Sequence, residues 1–444
     1  MIEQTKKGAK QMDNVILKSL SAENFASFAE RIEFSMETDS GKKEHLENTF
    51  TVEDMRFNKV SFLYGANGSG KTFFCKILRE IQRILALSPL ITATNSDRFL
   101  ATPQMKGMDA PIKSFAFDTQ YQDKPTTLGI DIVLNGINYH YEFSIQGKTV
   151  VREILTKKFR RTEKLIERTS SSFKDILLRS DLKGFEPTKQ TVKPEALCLP
   201  VAAMLNNPLA AQLNAAICGI QVVSMAAGRL NPINPKKTFT EERIAKYIRI
   251  IQKADPTIRN ISVSTSEEEI ARQKIDTDDF ENREIIAKKM TVSVDTKHAV
   301  YNNGEEQDSQ VPITFFAEES LGTIKLFTAL PYLYDVLEMG GVLIIDELEN
   351  GLHLSLAKEI ISLFSSEESN PNHAQLICTS HQPLLLDGDY RRDQVWVAIK
   401  DSVGKSSLHR LSKLPTPRAK VNLTAQILKG AFGCNPQLFF DSNT

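Results

Sequence analysis

In this chain of 444 residues, 55 lysines and arginines balance 55 aspartates and glutamates, so the formal net charge is zero. This balance excludes attraction to nucleic acid or to a membrane through bulk charge alone. Hydrophobic residues make up 41% and charged residues 25%, which is typical of a globular protein of about two or three domains.

The first third of the chain is predicted to contain strands around one long helix. Residues 15–35 alternate apolar and polar side chains on either side of a turn, which indicates a β-hairpin. An apolar strand over 60–64 precedes a glycine-rich loop. A helix then runs from Thr72 to about Leu87 and is expected to stop at Ser88-Pro89. Three further strands are predicted over 112–119, 127–134 and 137–145, with Asn135-Gly136 as the turn between the last two.

The pattern weakens between about 151 and 310, where charged, helix-prone stretches are interrupted by prolines. We expect an inserted, largely helical region here, with strand patterns at Ile261–Thr265 and Met290–Val294. Its charge is uneven, since 151–193 contains 12 Lys/Arg against 6 Asp/Glu, whereas 266–285 contains 8 acids against 3 bases. Each segment also fits a plain solvated face.

Regular patterns return after residue 311. The helical period of Ile324–Met339 contains Pro331, which predicts a kink or a break. Val342–Asp346 is a continuous apolar run, typical of a buried parallel strand. A helix over Leu354–Ser365 and strands over Gln375–Thr379 and Gln394–Ile399 complete an α/β pattern.

The glycine-rich loop has the spacing Gly-x4-Gly-Lys-Thr of a phosphate-binding loop. Its glycines allow a tight turn that directs backbone N–H groups at phosphates, and the following helix adds its positive N-terminal end. Lys71 is predicted to reach the β- and γ-phosphates, and the Thr72 hydroxyl to ligate Mg²⁺. The loop therefore predicts binding of a nucleoside triphosphate, with candidate contacts from Gly65, Asn67, Gly68, Ser69, Gly70, Lys71 and Thr72.

Two later strands are expected to end at the same site. The strand over 342–346 would deliver Asp346 and Glu347 to the carboxyl edge of the sheet, where ligands bind in open α/β folds. Asp346 would hold Mg²⁺, and Glu347 would polarise the water that attacks the γ-phosphate. The strand over 375–379 leads to His381, which can hydrogen-bond the γ-phosphate. Considered alone, the pattern at Asp346-Glu347 also fits a plain strand end, and His381 also fits a structural histidine.

A further anion site is predicted where Glu318–Thr323 opens a helix, because hydroxyls and backbone N–H groups meet there. An ordinary N-cap is the alternative.

The order of these motifs resembles the heads of ABC-type ATPases, a group that includes SMC heads, RecF-like proteins and OLD-like ATPases. A closer resemblance is to stand-alone ATP-binding proteins of bacterial abortive-infection and other anti-phage defence operons. It rests on Asn24-Phe-Ala-Ser-Phe28, Glu319–Thr323 and Asp346-Glu-Leu-Glu-Asn-Gly-Leu-His353, and on a tail from Arg392–Trp396 through Leu408–Ser412 to Gly430–Pro436. The resemblance covers roughly 15–150 and 311–436.

This resemblance implies an α/β fold, namely an ABC-ATPase-like P-loop NTPase head with a mixed sheet and a largely helical insertion. Residues 1–150 and 311–444 would form the two halves of the head, and 151–310 the insertion. It implies ATP and Mg²⁺ as cofactors, with Lys71 and Thr72 as phosphate and Mg²⁺ ligands. Asp346 would be the second Mg²⁺ anchor, Glu347 the catalytic base and His381 the switch histidine.

The resemblance also implies that two heads close head-to-tail on two ATP molecules. Ser320 and Gly322 would be the signature that caps ATP bound to the partner subunit. Ser320-Leu-Gly-Thr differs from the transporter signature Leu-Ser-Gly-Gly-Gln. A Q-loop glutamine cannot be assigned among Gln104, Gln120 and Gln122.

Three functions remain open. The first is an oligomeric defence sensor that controls a separately encoded effector, a nuclease for example, because the 63 residues after His381 are fewer than the ~100 residues of a nuclease domain. The second is a RecF- or SMC-like DNA-repair ATPase whose basic segments 151–193 and 391–429 contact phosphates. The third, a transporter ATPase, lacks any coupling sequence.

The scattered cysteines and the absence of an apolar signal or long apolar run lead us to expect a cytoplasmic protein without membrane contact.

Overall fold

The computed structural model describes residues 14–41, 43–93, 110–182, 192–226, 238–275, 283–415, 423–430 and 432. The chain divides into two compact units. The first unit contains Met1–Ser224, Val336–Glu349 and Ala357–Thr444, and the second contains Met225–Asp335 and Asn350–Leu356. Gln104, Cys434 and most of the tail over 430–436 lie outside the described residues.

A seven-stranded antiparallel sheet forms one layer of the first unit. Its strands have the order β10-β9-β8-β7-β6-β1-β2. The predicted hairpin over 15–35 is confirmed, as is the turn at Asn135-Gly136, whose positive φ angles of 52° and 75° suit a two-residue hairpin turn. The strands are β1 (Val15–Glu23), β2 (Ile32–Ser35), β6 (Thr126–Leu134), β7 (Ile137–Gln146), β8 (Thr149–Lys158), β9 (Thr162–Arg168) and β10 (Ile176–Leu178).

A six-stranded sheet forms the other layer, with the order β11-β15-β16-β5-β17-β18. All of its pairings are parallel except that of β17 with β18. β5 and β15 are buried at every position, which explains their continuous apolar sequence. The strands are β5 (Val60–Tyr64), β11 (Gln221–Ser224), β15 (Val342–Asp346), β16 (Gln375–Ser380), β17 (Val395–Lys400) and β18 (Ser406–Arg410); β3 (Thr49–Val52) and β4 (Met55–Asn58) pair separately.

Helix α1 (Lys71–Ala93) contacts strands of both sheets and contributes Phe74, Ile77, Leu78 and Ile81 to the core. The prediction that it stops at Ser88-Pro89 is wrong. The proline removes only one backbone hydrogen bond in the last turns, and the hydroxyl of Ser88 donates to the carbonyl of Ile84 at 2.8 Å. Helices α2 (Cys198–Met204), α3 (Pro208–Gly219) and α8 (Leu423–Leu428) also belong to this unit.

The strand predicted over 112–119 is also wrong. This segment forms no strand because its backbone bonds to the turn at Asn24 instead of to a sheet, and its last residue begins a short 3₁₀ helix over Thr119–Tyr121. The N–H of Phe115 donates to the side-chain oxygen of Asn24 at 3.0 Å, and the N–H of Ala26 donates to the carbonyl of Lys113 at 2.8 Å.

The second unit contains a three-stranded antiparallel sheet of β12 (Ile258–Ile275), β13 (Arg283–Asn302) and β14 (Glu305–Thr314). The two predicted strand patterns fall within β12 and β13. The helices of this unit are α4 (Glu241–Ala254), α5 (Phe315–Glu318) and most of α6 (Leu321–Met339), whereas most of α7 (Leu354–Ser365) belongs to the first unit. α6 continues through Pro331.

The prediction that 151–310 is largely helical is wrong for the described residues, because strands occupy more of them than helices do. Residues 151–168 extend the sheet of the first unit through β8 and β9. Farther along, β14 is exposed at almost every position, so its sequence has no apolar alternation that would predict a strand.

Within the described part of the chain, no helix has the length and apolar character that crossing a membrane requires.

Candidate functional site

Three neighbouring parallel strands of the first unit end at one edge of the six-stranded sheet. β16 pairs with β15 on one side and with β5 on the other. β5 leads into the phosphate loop, β15 ends at Asp346, and β16 ends at Ser380, immediately before His381. The carboxyl edge of the sheet therefore brings together chain segments that are up to about 300 residues apart.

The phosphate loop adopts a conformation that requires glycine at two positions. Gly68 and Gly70 have φ angles of +78° and +109°, which side chains rarely adopt. The N–H of Gly65 donates to the carbonyl of Ser380 at 3.3 Å and ties the loop to the end of β16. Asn67 is exposed on the loop, whereas Ser69 is buried and its hydroxyl has no hydrogen-bond partner among the described residues.

Lys71 is folded back onto this loop. Its Nζ donates to the carbonyls of Gly65 at 2.6 Å and Ala66 at 2.8 Å, and the residue is only 5% exposed. Burial lowers the pKa of Lys71, while the negative charges of Glu349 and Glu347 oppose this effect. The loop thus holds the Lys71 ammonium group among backbone carbonyls. Phosphate oxygens of a bound nucleotide would replace these carbonyls as hydrogen-bond acceptors of the ammonium.

Thr72 and Asp346 place two oxygens close together at the start of α1. The Thr72 hydroxyl lies 3.4 Å from Oδ1 of Asp346, and the same Oδ1 accepts a 2.7 Å hydrogen bond from the Thr379 hydroxyl. Mg²⁺ binds oxygen ligands at about 2.1 Å, so one ion could bridge this pair after a small adjustment. The residues therefore fit a Mg²⁺ site, since this ion usually takes few protein ligands and completes its shell with phosphates and water.

Glu347 follows Asp346 in a strained backbone conformation, with a φ of +56°. Its N–H donates to the hydroxyl of Thr379 at 2.8 Å, and the next N–H, of Leu348, donates to the carbonyl of Thr379 at 3.2 Å. These bonds turn the chain sharply at the sheet edge and fix the position of Glu347 relative to Asp346.

His381 contacts a third carboxylate. Its backbone N–H donates to Oε1 of Glu349 at 2.7 Å, and its ring Nδ1 lies 2.9 Å from the same oxygen. The Glu349 side chain is 10% exposed, whereas that of His381 is 47% exposed. The imidazole is therefore held by a buried acid while part of the ring remains accessible.

Comparison with known protein families matches residues 60–193 and 227–387 to the family described as "AAA domain, putative AbiEii toxin, Type IV TA system". The chain belongs to this family. The match confirms the prediction of a P-loop ATPase head with a mixed α/β fold, and the link to abortive infection comes through the description of the AAA family alone.

Solved structures that are similar to this AAA-family chain are heads of SMC proteins. An SMC head bound to the C-winged helix domain of ScpA is 12% identical, with a TM-score of 0.40, and the alignment covers 88% of this chain and 96% of that one. The SMC head domain from Thermotoga maritima is 11% identical, with a TM-score of 0.34 and coverages of 90% and 99%. An SMC head with an extended coiled coil, bound to the C-terminal domain of ScpA derived from Pyrococcus furiosus, is 12% identical, with a TM-score of 0.36 and coverages of 94% and 99%. No curated protein matches the chain significantly.

Sequence reasoning missed two residues of the site in this AAA-family chain. Thr379 bonds both to the Asp346 carboxylate and to the Glu347 backbone, and Glu349 holds His381. The available signals were weak. Thr379 is a polar residue near the end of an apolar strand, and Glu349 is the second glutamate in Asp346-Glu-Leu-Glu349.

The two signature candidates belong to the second unit. Ser320 precedes α6, and its Oγ accepts a 3.1 Å hydrogen bond from the N–H of Thr323, which is the geometry of an N-cap. A Cβ on Gly322 would lie 2.9 Å from the carbonyl of Gly351. Glu319 contacts His298 at 2.7 Å and the hydroxyl of Thr296. The role of Ser320 and Gly322 toward a partner's nucleotide stays a prediction.

Proposed function

We propose that this chain binds and hydrolyses ATP with Mg²⁺. The proposal is carried by the 3.4 Å approach of Thr72 Oγ1 to Asp346 Oδ1, beside the buried ammonium of Lys71. A hydroxyl, a carboxylate and an ammonium at the N-terminal end of a helix suit a metal-bound triphosphate. Membership in an AAA family of ATPases supports the same conclusion.

In this proposal the chain's own residues position the reactants. Lys71 would exchange its two backbone carbonyls for the β- and γ-phosphate oxygens, and Thr72 and Asp346 would hold Mg²⁺. Bound Mg²⁺ would neutralise charge on the phosphate oxygens. Glu347, fixed by Thr379, accepts a proton from the attacking water, and His381 donates a hydrogen bond to the γ-phosphate.

We further propose that the ATPase acts in bacterial anti-phage defence as a cytoplasmic, oligomeric sensor. Two copies would close head-to-tail, with Ser320 and Gly322 of one copy contacting ATP bound to the other. The assembly would restrain a separately encoded effector, a nuclease for example, and release it on infection. The description of the AAA family as a putative AbiEii toxin of a type IV toxin–antitoxin system supports a defence role.

Replacement of Lys71 tests the nucleotide site. We expect Lys71→Ala to weaken ATP binding at least about 10-fold, because a charged hydrogen-bond donor to the phosphates is lost. Lys76→Ala is the matched control, since Lys76 is exposed on the same helix, and it should bind ATP normally. The measurement is titration calorimetry with ATP and Mg²⁺. Equal affinities in both variants would contradict the proposed site.

Replacement of Glu347 separates binding from hydrolysis. We expect Glu347→Gln to reduce turnover by at least about 100-fold while ATP remains bound, because the amide cannot accept the proton of the attacking water. The retained ATP should also increase the mass of the assembly, measured by light scattering with and without ATP. Unchanged turnover would remove Glu347 from its assigned role.

The defence role is tested in cells. A strain that carries this gene with its neighbouring genes should reduce phage plating, and the Lys71→Ala version should not. Equal plating for the two versions would refute the sensor. ATP-dependent DNA binding that weakens steeply with salt would favour the DNA-repair alternative.

A further inference from the structure

We propose that Glu349 is a positioning residue that orients the ring of His381, and that His381 becomes a doubly protonated imidazolium when ATP binds. In this arrangement Nδ1–H donates to the Glu349 carboxylate, and Nε2–H donates to the terminal phosphate of bound ATP. The inference rests on the proposed ATPase function and adds that ATP binding is coupled to proton uptake.

The geometry assigns Glu349 to His381 through two contacts. One carboxylate oxygen accepts from the backbone N–H at 2.7 Å and lies 2.9 Å from ring Nδ1. The two residues come from different elements, since Glu349 follows β15 and His381 follows β16. A buried carboxylate therefore sets both the position of the histidine backbone and the orientation of its ring.

This contact determines which ring nitrogen carries a hydrogen. An ionised carboxylate only accepts hydrogen bonds, so Nδ1 must carry a proton. If the ring is neutral, Nε2 is then unprotonated and cannot donate to a phosphate oxygen. A hydrogen bond from Nε2 to phosphate therefore requires a second proton, and negative charges on both sides of the ring favour this form.

The charges around His381 agree with this assignment. Among the described residues, Glu349 provides the carboxylate oxygen that lies within ion-pair distance of the ring. Lys71, Asp346 and Glu347 are the other charged groups of the site. The negative charge of Glu349 opposes the effect of burial on the pKa of Lys71 more than Glu347 or Asp346 does, so Glu349 is electrostatically coupled to the phosphate-loop lysine as well.

The second carboxylate oxygen of Glu349 also indicates that this residue has a role in the site. Oε2 is buried and has no hydrogen-bond partner in the described part of the chain. A buried, half-satisfied carboxylate is costly, and its position next to the switch histidine and near Lys71 indicates a role in the site.

Proton uptake can be measured by titration calorimetry of ATP in two buffers with different ionisation enthalpies, near pH 7.5. A Glu347→Gln background prevents turnover during the titration. We expect ATP binding to take up at most about one proton, because Nε2 of His381 must gain a hydrogen before it can donate to phosphate. Adding Glu349→Gln should reduce the uptake at least about twofold and weaken ATP binding about 10-fold. Adding the exposed Glu368→Gln instead should change neither.

The outcomes separate the two proposals. ATP binding without proton uptake, or equal uptake with Glu349→Gln, would overturn the role of Glu349 and leave the ATPase function intact. Absence of ATP binding in the Glu347→Gln protein would overturn the proposed function and this inference with it.

A second measurement needs no variant at position 349. Nitrogen NMR of the nucleotide-free protein labelled at histidine reports the tautomer directly, with the His381→Gln variant used to assign the signal. We expect a proton on Nδ1 of His381. A neutral ring with its proton on Nε2 would refute the contact on which the inference depends.

Discussion

Thr379 shows how a single hydroxyl organises the site at the scale of one residue. It donates to the Asp346 carboxylate at 2.7 Å and accepts from the N–H of Glu347 at 2.8 Å. The residue is fully buried, so no water can replace either bond. Asp346 and the backbone of Glu347 are therefore fixed relative to each other by a buried hydroxyl.

Thr379→Val keeps the shape of the side chain and removes this hydroxyl. We expect a loss of about 1–3 kcal/mol in the free energy of unfolding, because a buried carboxylate oxygen and a buried N–H lose a partner. Turnover should fall as well. Thr379→Ser keeps the hydroxyl and should retain most of the turnover. Urea unfolding and a steady-state ATPase assay test this, and equal turnover in both variants would argue against the positioning role.

The phosphate loop and the β17–β18 hairpin constrain each other at the scale of elements. A Cβ built on Gly70 would lie 2.8 Å from the Ser406 hydroxyl, 3.0 Å from Cβ of Ser406 and 3.0 Å from the hydroxyl of Ser27. The same atom built on Gly68 would meet nothing within 4 Å. Both glycines have positive φ, but only Gly70 is in a crowded position.

Alanine at these two positions separates backbone strain from crowding. Gly68→Ala should destabilise the nucleotide-free protein by about 1 kcal/mol, which is the cost of a positive φ for a side chain. Gly70→Ala should cost at least about 2 kcal/mol, because rotation of the hydroxyls does not relieve the contact with Cβ of Ser406. Urea unfolding of both variants without nucleotide compares them. Equal losses would indicate that the loop and the hairpin are less tightly packed.

Buried thiols make the stability of the whole molecule dependent on pH. Burial raises the pKa of Cys75, Cys198 and Cys378, and all three belong to the first unit. Above a pH of about 8.5 the thiols of the unfolded chain lose their protons, whereas those of the native protein keep them. The native state then binds more protons than the unfolded state, so the free energy of unfolding falls as pH rises.

We expect this loss to reach about 1.4 kcal/mol per pH unit for each thiol above that range. Lys71 acts in the opposite direction, because burial lowers its pKa. A comparison with a variant in which the three cysteines are alanine therefore isolates the thiols. Urea unfolding at several pH values between about 7 and 10 should give a flatter profile for the variant. Parallel profiles would refute the argument.

The sequence by itself determined the phosphate loop, the buried strand that ends at Asp346-Glu347 and the strand before His381. These signals are local, because the spacing of glycines and the length of an apolar run depend on residues close together in the chain. The family followed from the order of the same motifs. The roles of Ser320 and Gly322 stay predictions.

Only the tertiary structure decided which side chains support these motifs. Thr379 and Glu349 acquire their roles because β15, β16 and β5 lie side by side, and hydrogen bonds between adjacent strands join residues about 30 positions apart. Tertiary context also determined that 112–119 bonds to Asn24 and that the exposed segment Glu305–Thr314 pairs as a strand. A strand without a buried face carries no apolar period, so its pairing depends on distant residues that a local pattern does not contain.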